Sequence, residues 1–376
     1  MDIVIAGAGI GGLTAALSLH ANGFRVTVVE SARKLTALGV GINLLPHAMA
    51  ELHRLGLGEA VQDIAAAPAV IDFYTSHGEL LFREPRGIEG GYRYPQCSVH
   101  RGTLQMLLLD AVIDRLGPDA IRTGAGILDF SESADHVDVQ THAGPLRADL
   151  LIGADGIGST IRRRLHAGPD PLMWSGVRMF RGAARIPAFL DGRTMAIVKG
   201  TNGVELVTYP IGRISDRLVN WVLQIVESEP GPLPGGANWN APADPATVAA
   251  HMTDWHLGWL NPADLVSRSD AVFEYPMVDR EPLTRWGTQR VTLLGDAAHP
   301  MYPVGANGGS QAILDARALA DELAAGHGLG GYEARRIPET GAVVRANREM
   351  HAGSSDQLAH VTAEYRRATY ADRSGR

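Results

Sequence analysis

A glycine-rich turn near the start of the chain constrains the fold more than any other feature. The apolar run 2–6 has strand character, and Gly7-Ala8-Gly9-Ile10-Gly11-Gly12 follows it directly. Apolar residues then recur at helical spacing, and a second β-rich run, 24–29, ends in Glu30. Strand, G-x-G-x-x-G turn, helix, strand and acid together predict a dinucleotide site, because N–H groups at the helix N-terminus bind phosphate and the acid accepts ribose hydroxyls. The motif alone leaves FAD and NAD as alternatives.

Length, charge and cysteine content exclude several classes of protein. With 376 residues the chain is long enough for two domains. A net charge of −7 without a basic run argues against nucleic-acid binding. Cys97 is the only cysteine, which excludes a disulfide framework and a thiolate metal site, and we predict no metal. No apolar stretch approaches the roughly 20 residues that cross a bilayer, and the chain enters a strand at once, which leaves no room for a signal peptide. We expect a cytoplasmic protein with no nucleic-acid or membrane partner.

The first half of the chain alternates helical and strand patterns. The runs 70–75 and 79–83 flank Ser76-His77-Gly78 and predict a β-hairpin, which interrupts the nucleotide-binding topology early. We expect a second domain to be threaded through the first at this point. The other predictions are a glycine-punctuated loop at 38–43, helices at 46–55 and 103–116, and strands at 127–130, 137–141 and 146–153.

Short alternating strands dominate the middle of the chain and predict an antiparallel sheet, the floor of a substrate domain. They cover 177–186, 195–199, 204–209 and 218–226, with a hairpin turn at Asn202-Gly203. A loop at 229–245 and a helix at 251–260 follow. Nucleotide-fold character returns with a buried strand at 291–294, a loop at 303–309, a helix from about Ser310 to about Ala325, and a charged helical stretch at 332–376.

Three stretches together resemble the group A flavoprotein monooxygenases, the aromatic hydroxylases related to 4-hydroxybenzoate and salicylate hydroxylases. They are the N-terminal turn with Glu30, the stretch 150–162 with Asp155-Gly156, and the stretch 290–316 with Gly295-Asp296. The chain is more similar still to the phenazine-carboxylate hydroxylases of pyocyanin formation. That resemblance lies in 38–45, 100–109, 189–195, 218–222, 275–286 and 290–314. A shortened glycine-rich link at 324–331 departs from the family.

The resemblance implies FAD as cofactor and NADH or NADPH with O₂ as co-substrates. Reduced FAD would form a C4a-hydroperoxide that hydroxylates an electron-rich aromatic or heteroaromatic acid, with loss of CO₂ where the attacked carbon carries the carboxylate. In the family the aspartate matched by Asp296 binds the ribityl chain, and the Asp-Gly motif is associated with both FAD and NAD(P)H. Independently of the family, the helix N-terminus after Pro303 would stabilise negative charge. The cofactor-binding candidates are Gly7, Gly9, Ile10, Gly11, Gly12, Glu30, Ser31, Arg33, Gly41, Arg101, Gln105, Asp155, Gly156, Asp296, Pro303, Gly305, Asn307, Gly308 and Gly309.

Candidates for catalysis and substrate binding are fewer. His299 and Tyr302 are possible bases, although a histidine in Asp-Ala-Ala-His-Pro more often organises the loop beside the flavin. Aromatic side chains could line a flat pocket, and we single out Tyr209, Trp221 and Tyr302. Arg178 and Arg181 lie on opposite faces of one strand, so at most one of them can face a substrate carboxylate.

We therefore predict an α/β (α+β) fold, with a Rossmann-like FAD-binding domain, an inserted, mainly antiparallel substrate domain and C-terminal helices. The expected division assigns 1–70, 98–168 and 285–335 to FAD, 71–97 and 169–284 to substrate, and 336–376 to a helical segment, in a monomer or homodimer. The alternatives are hydroxylation of a phenolic or polyketide-type substrate without decarboxylation, a flavin reductase without oxygen insertion, and a flavin-binding regulatory protein without turnover. A separate nicotinamide domain is not expected, because no second G-x-G-x-x-G unit exists.

Overall fold

The computed structural model describes residues 1–239 and 241–352, which form twenty strands and nine α-helices. The elements up to residue 122 are β1 (Asp2–Ala6), α1 (Ile10–Ala21), β2 (Arg25–Val29), β3 (Gly41–Leu44), α2 (Pro46–Arg54), α3 (Gly58–Asp63), β4 (Ala65–Ala66), β5 (Val70–Thr75), β6 (Leu80–Pro85), β7 (Cys97–His100), α4 (Arg101–Leu116) and β8 (Ile121–Arg122). They are followed by β9 (Ile127–Glu132), β10 (Val137–Thr141), β11 (Gly144–Ala148), β12 (Leu150–Gly153), α5 (Thr160–Leu165), β13 (Met173–Arg185), β14 (Thr194–Lys199), β15 (Val204–Ile211) and β16 (Leu218–Val226). The last elements are β17 (Gly231–Pro232), β18 (Ala241–Pro242), α6 (Pro245–Ala250), α7 (Pro262–Ser267), β19 (Ser269–Asp279), β20 (Val291–Leu293), α8 (Asn307–Ala324) and α9 (Gly328–Ala352).

A five-stranded parallel sheet carries the glycine-rich turn. Its strand order is β20-β12-β1-β2-β8, so the carboxyl ends of β1, β12 and β20 lie side by side. Helices α1 and α8 pack together, and Gly11 meets Leu294 and Ala312 where they touch. Because loops at the carboxyl edge of a parallel sheet form ligand sites, the three motifs predicted from sequence converge there.

A larger, mostly antiparallel sheet forms the second layer. Its order is β18-β19-β13-β16-β15-β14-β5-β6, with β17 also paired to β13 and only β14 and β5 parallel to each other. The predicted hairpin of β5 and β6 is confirmed, and it is an edge of this sheet. One face packs on α6 and α7 through a second apolar core, which contains Trp221 and Leu223. The mixed α/β class is therefore confirmed.

Three predicted boundaries are wrong for identifiable reasons. The stretch 38–43 was expected to be a loop, but Gly41–Leu44 form β3, which pairs with β7 more than fifty residues later. The expected strand 146–153 breaks at Asp149, whose carboxylate accepts a bond from the N–H of Asp2 at 2.6 Å. Its halves, β11 and β12, belong to different sheets.

The helix expected at 251–260 is also misplaced. Asp244 caps the backbone N–H groups of Ala246 and Thr247, and Pro245 occupies the first helical position. Aspartate before proline is a strong helix start, so α6 begins six residues early and ends at Ala250. The chain then turns, with Gly258 at φ +75°.

Two further observations concern the C-terminal half. Helix α8 begins at Asn307, three residues before the predicted start, and α9 begins at Gly328, so the segment boundary expected at 336 falls inside a helix. The rest of the predicted helical stretch, 353–376, lies outside the described residues. Within the described chain, no helix is long and apolar enough to cross a membrane.

Candidate active site

The N-terminal turn is shaped so tightly that two of its glycines cannot carry a side chain. Gly7 has φ +103°, and a Cβ there would lie 2.4 Å from the carbonyl oxygen of Ala154. A Cβ on Gly12 would lie 2.0 Å from the oxygen of Gly7. By contrast, the Cβ position of Gly9 faces open space, and no side chain caps the N-terminus of α1. The turn therefore presents free N–H groups and room for a phosphate.

Glu30 is held at the edge of this turn. One carboxylate oxygen accepts from the N–H of Ala8 at 2.8 Å, and the other accepts from the N–H of Ala32 at 2.7 Å. Gln105 donates to the carbonyl of Ala8 at 2.7 Å, and Ser31 donates to Glu30. These bonds fix the position of the acid; Oε1 already accepts from both Ser31 and Ala32, whereas Oε2 accepts only from Ala8 and keeps a lone pair that can accept a hydroxyl. Arg33 is exposed beside it.

The Asp-Gly motif serves a local purpose in the structure. Asp155 accepts from the hydroxyl of Ser159 at 2.5 Å and from the N–H of Thr160 at 2.8 Å, so it caps α5. Gly156 makes the turn with φ +76°. Arg162, fully buried, pairs with Asp170 and donates to the carbonyl oxygens of residues 297 and 298. The motif thereby braces the loop that carries Asp296.

Asp296 and the N-terminus of α8 face each other across a cavity. Ala306 adopts φ +63° before the helix, and no side chain caps it. Gly308 lies close to Asp296: a Cβ placed on Gly308 would be 4.0 Å from a carboxylate oxygen of Asp296. Asp296 opens onto the cavity, but the surrounding protein desolvates it and raises its pKa, against the attraction of His299 and Arg101. An acid beside an uncapped helix suits a ligand with both hydroxyls and a developing negative charge.

The cavity of about 490 Å³ extends from this point over the large sheet. Its floor is built from rows of side chains that the strand register aligns. One row runs from Arg181 through Val222, Val207 and Ile197 to Phe73. These residues and their neighbours make an apolar, flat-sided slot with a single arginine in that row.

Arg181 is the unusual member of the row. Its guanidinium donates to the carbonyl of Gly41 at 3.2 Å, while its Nε has no hydrogen-bond partner, and no carboxylate of the described residues pairs with it. Burial lowers its pKa, but an arginine remains charged in proteins. A partly buried guanidinium that faces a cavity and has no carboxylate partner provides a site for an anion.

Strand β3 joins the two layers beside Arg181. The hydroxyl of Tyr209 donates to the carbonyl of Gly41 at 3.2 Å, and the N–H of Gly41 donates to Asn220 at 2.7 Å. A Cβ on Gly41 would lie 2.6 Å from Asn220, which explains the glycine. The N–H of Leu45 donates to Ser310 on α8. This short strand therefore couples the helix N-terminus to the cavity.

Several residues singled out from the sequence lie away from the cavity. Trp221 lies on the opposite face of the sheet, because it precedes the cavity-lining Val222 by one residue in the strand. It is buried there, and its indole N–H donates to Ser269. Arg178 pairs with Glu227 and Glu274 on that other face. The structure therefore corrects the assignment of Trp221 and Arg178 to the substrate pocket.

The two expected bases are also turned away. His299 is buried with its Nε2 2.6 Å from Asp315, and Trp286 packs on its ring. Tyr302 lies behind the cavity wall, edge-on to His351, and burial raises its pKa to about 12. Neither is among the residues that line the cavity.

Sequence reasoning missed a polar end of the cavity and a histidine. Asn43, Glu84, Arg86 and Gln96 line one end and bond to one another, and His351 lines the cavity near Lys199 and Glu205. Burial lowers the pKa of His351, which favours the neutral imidazole. No local motif marks these residues, since β3, β6, the β6–β7 connection and α9 bring them together.

Comparison with known proteins agrees with this geometry. A family model described as an FAD binding domain matches residues 1–347. Phenazine 1,6-dicarboxylic acid hydroxylase of Lysobacter antibioticus is 44% identical and the match covers 97% of this chain and 96% of that protein. A 3-hydroxybenzoate 6-hydroxylase of Aquipseudomonas alcaligenes is 32% identical over 86% of this chain and 80% of that protein. The structure of Klebsiella pneumoniae HpxO with FAD and uric acid superposes with a TM-score of 0.79 at 25% identity, covering 98% and 93% of the two chains.

The site has what FAD requires: a glycine turn without side-chain obstruction, two uncapped helix N-termini, and acids at the ends of two parallel strands. NADH or NADPH and O₂ are the usual co-substrates of such enzymes. The chain therefore belongs to the FAD-binding family of flavoprotein aromatic hydroxylases, and it is an FAD-dependent monooxygenase.

Proposed function

We propose that this monooxygenase hydroxylates a planar aromatic or N-heteroaromatic carboxylate, and that the new hydroxyl replaces the carboxylate. The observation that carries the proposal is Arg181, a partly buried cation without a carboxylate partner that lies beside the apolar row of the sheet. A carboxylate would neutralise it with charge-assisted hydrogen bonds, and the apolar rows would hold the ring. The cavity of about 490 Å³ includes the end lined by Asp296 and Gly308, which we assign to the flavin, and the substrate ring would lie at the end over the sheet.

The roles of the cofactor residues form part of the proposal. Gly7, Gly9 and Gly12 give the pyrophosphate access to the N-terminus of α1, and Glu30 accepts the ribose hydroxyls. Asp296 accepts the ribityl hydroxyls, and the N-terminus of α8 stabilises negative charge on the flavin ring. FAD, when bound, supplies the redox chemistry and activates O₂ with electrons from the nicotinamide. The protein positions the acid and keeps water away from the ring.

Loss of the carboxylate is favoured by the placement of the possible bases. Tyr209 faces the cavity, but its hydroxyl donates to Gly41, and burial raises its pKa to about 12. His299 is committed to Asp315. When a hydroxyl replaces a carboxylate, the bond to the carboxyl carbon breaks and leaves its electron pair on the ring, so no ring proton must be removed. One ionised carboxylate, one NAD(P)H, one O₂ and two protons then give one hydroxylated ring, one CO₂, one NAD(P)⁺ and one water.

One observation favours a second candidate, ring hydroxylation of a phenolic substrate with the carboxylate retained. That route needs a group to take a phenol proton, and His351 lines the cavity with a lowered pKa that keeps it neutral. A neutral imidazole is a competent base. His351→Gln should slow only this route, because the decarboxylative route uses no base on the ring.

Relatives support a planar, acidic substrate. The Lysobacter relative is named for phenazine 1,6-dicarboxylic acid, and other relatives are named for hydroxybenzoate and aminohydroxybenzoate. All these compounds are flat carboxylic acids. They suit a slot with one arginine.

We also propose that residues 1–70, 98–168 and 285–335 hold FAD and that 71–97 and 169–284 bind the substrate. The membership of the two large sheets supports this division. A cytoplasmic monomer or homodimer acting on a small molecule, without nucleic-acid or membrane partners, fits the net charge of −7. Light scattering behind a sizing column would determine the oligomeric state.

A substrate screen tests the proposed function. Purified holoenzyme is mixed with NADH or NADPH and a panel of aromatic acids that includes phenazine carboxylates, quinoline carboxylates and hydroxybenzoates. We expect at least one acid to accelerate nicotinamide oxidation and to yield a stoichiometric hydroxylated product by mass spectrometry. Nicotinamide oxidation without any oxygenated product would instead indicate a flavin reductase.

A further inference from the structure

A chain of hydrogen bonds closes one end of the cavity. Arg86 donates to Glu84 at 2.7 Å and to the side-chain oxygen of Gln96 at 3.1 Å. The amide nitrogen of Gln96 donates to the oxygen of Asn43 at 3.2 Å, and Ser98 donates to the same oxygen at 2.5 Å. All five side chains are buried.

The chemistry of arginine sets the direction of this chain. A guanidinium has no acceptor, so the atom of Gln96 that faces Arg86 must be its oxygen, and its nitrogen must point to Asn43. The atom of Asn43 at the end of the chain is therefore its oxygen, which already accepts two hydrogen bonds. The NH₂ group of Asn43 faces elsewhere, and no described residue accepts a hydrogen bond from it.

The position of Asn43 places it within reach of a ligand in the cavity. The residue is only 7% exposed, and it lines the cavity. It lies two residues beyond Gly41 on β3, and the carbonyl of Gly41 accepts from Arg181. Two strand residues span about 7 Å, roughly the distance across one substituted aromatic ring. A ring that places its carboxylate at Arg181 can therefore extend towards Asn43.

We propose that Asn43 is a specificity-determining residue whose amide donates to a hydrogen-bond acceptor in the ring system of the substrate. The acceptor class that fits is an in-plane ring nitrogen, so the substrate is an N-heteroaromatic acid. This inference rests on the proposed function in one respect only, the binding of the substrate carboxylate by Arg181. A carbocyclic ring would cover the N–H group without pairing it, and sites built around such a bond reject analogues that lack it.

A binding measurement on the holoenzyme tests the proposal without turnover. Quinoline-4-carboxylate and 1-naphthoate have the same shape and differ in one ring nitrogen. Their dissociation constants are measured from the change in flavin absorbance, at a pH above the pKa of the ring nitrogen. We expect wild type to bind the quinoline acid at least tenfold more tightly. Asn43→Asp, which turns the donor into an acceptor, should abolish that preference and leave FAD affinity within twofold.

Control variants and a neutral ligand pair separate the possible outcomes. Asn261→Asp makes the same change at an exposed helix cap, where aspartate caps equally well, and it should leave the preference intact. Equal affinity of wild type for the two acids, an unchanged preference in Asn43→Asp, or a parallel loss of FAD would each overturn the proposal. If Arg181→Met binds both acids as well as wild type, the carboxylate assignment fails. Quinoline compared with naphthalene still tests Asn43 in that case.

Discussion

His299 and Asp315 are locked together behind the cavity, with 2.6 Å between the histidine Nε2 and the carboxylate Oδ2 and both side chains fully buried. The same carboxylate accepts from the backbone N–H of Gly295 at 3.0 Å and from Arg336 on α9 at 2.7 Å. Asp315 thus ties the Gly295-Asp296 turn to two helices. We therefore propose that the histidine of this loop has a positioning role rather than a catalytic one.

Asp315→Asn should strongly destabilise the protein. The substitution removes the buried negative charge between His299 and Arg336 and leaves one acceptor oxygen for both; breaking such a pair costs about 3–5 kcal/mol of unfolding free energy, and the remaining bonds of Arg336 to Glu339 and Gln311 should keep the loss near the lower value. Asp321→Asn on the same helix weakens only partly exposed pairs with Arg317 and Arg335 and should cost less than about 1 kcal/mol. Urea unfolding of the two variants measures both values, and equal losses would contradict the role of Asp315.

The same pair predicts how stability depends on pH. Burial alone would raise the pKa of Asp315, but His299 and Arg336 outweigh it and lower the pKa to about 2. Because the folded pKa lies below the ordinary value of 3.8, the contribution of Asp315 is complete above that value and is lost as pH falls towards 2. The unfolding free energy, measured by urea unfolding at several pH values between about 4 and 2, should depend less steeply on pH in Asp315→Asn than in wild type.

Glu30→Ala should weaken FAD binding while the fold persists. The acid would contribute charge-assisted hydrogen bonds to the ribose, each worth about 1.5–3 kcal/mol, so the dissociation constant should rise tenfold or more. Titration of apoprotein with FAD measures the change. Glu132→Ala, at an exposed position of β9, is the matched control. An affinity equal to that of wild type would show that Glu30 only caps its neighbouring N–H groups.

Asp296→Asn should separate stability from cofactor binding. The side chain is exposed to the cavity, and the surrounding protein raises its pKa by desolvation, so the folded apoprotein gains no stability from the charge. We therefore expect the neutral amide to leave the melting temperature of the apoprotein unchanged or slightly higher. The amide lacks the charge that holds the ribityl hydroxyls, so FAD content should fall. A loss of both stability and FAD would mean that Asp296 is a structural cap.

The N-terminal unit could be predicted from sequence because its information is local. The strand, the turn, the helix and Glu30 follow one another within thirty residues. The end of β20 could be predicted for the same reason, because a glycine and an acid, Gly295-Asp296, directly follow an apolar run. Strand β3 could not be predicted, since its partner β7 lies far along the chain and the glycine at its start suggested a loop. Its glycine is explained by contact with Asn220, a feature of the tertiary structure.

The substrate side shows a different limit. Strand alternation places Arg178 and Arg181 on opposite faces, but it does not reveal which face is covered by helices. Only the packing of α6 and α7 over Trp221 determines that Arg181 faces the cavity. The orientation of the Asn43 amide depends on four other side chains from β6, β7 and the loop between them, and no sequence pattern encodes that arrangement.

These two arginines give a matched pair of variants. Arg181→Met should raise the KM for an aromatic acid tenfold to a hundredfold, because it removes the charge-assisted bonds to the carboxylate. FAD content should stay constant, since Arg181 lies on the sheet rather than in the turn. Arg178→Met breaks a partly exposed pair with Glu227 and should leave KM nearly unchanged. Steady-state kinetics measure the KM of both variants. An equal rise in KM in the two variants would refute the assignment of Arg181 to the substrate carboxylate.

The fate of the substrate carboxylate is the last prediction. With a carbon-13 label in that group, the proposed route should release the label as CO₂ in amounts equal to the hydroxylated product, because the bond to the carboxyl carbon breaks as the ring regains aromaticity. The retained-carboxylate route would keep the label in the product and should slow in His351→Gln, which removes the neutral imidazole at the cavity. Mass spectrometry of the headspace and of the product gives both measurements from one reaction. Label in the product together with a slowed His351→Gln variant would establish hydroxylation by base-assisted attack at a free ring position, and it would leave Arg181 as an anchor for a carboxylate that never reacts.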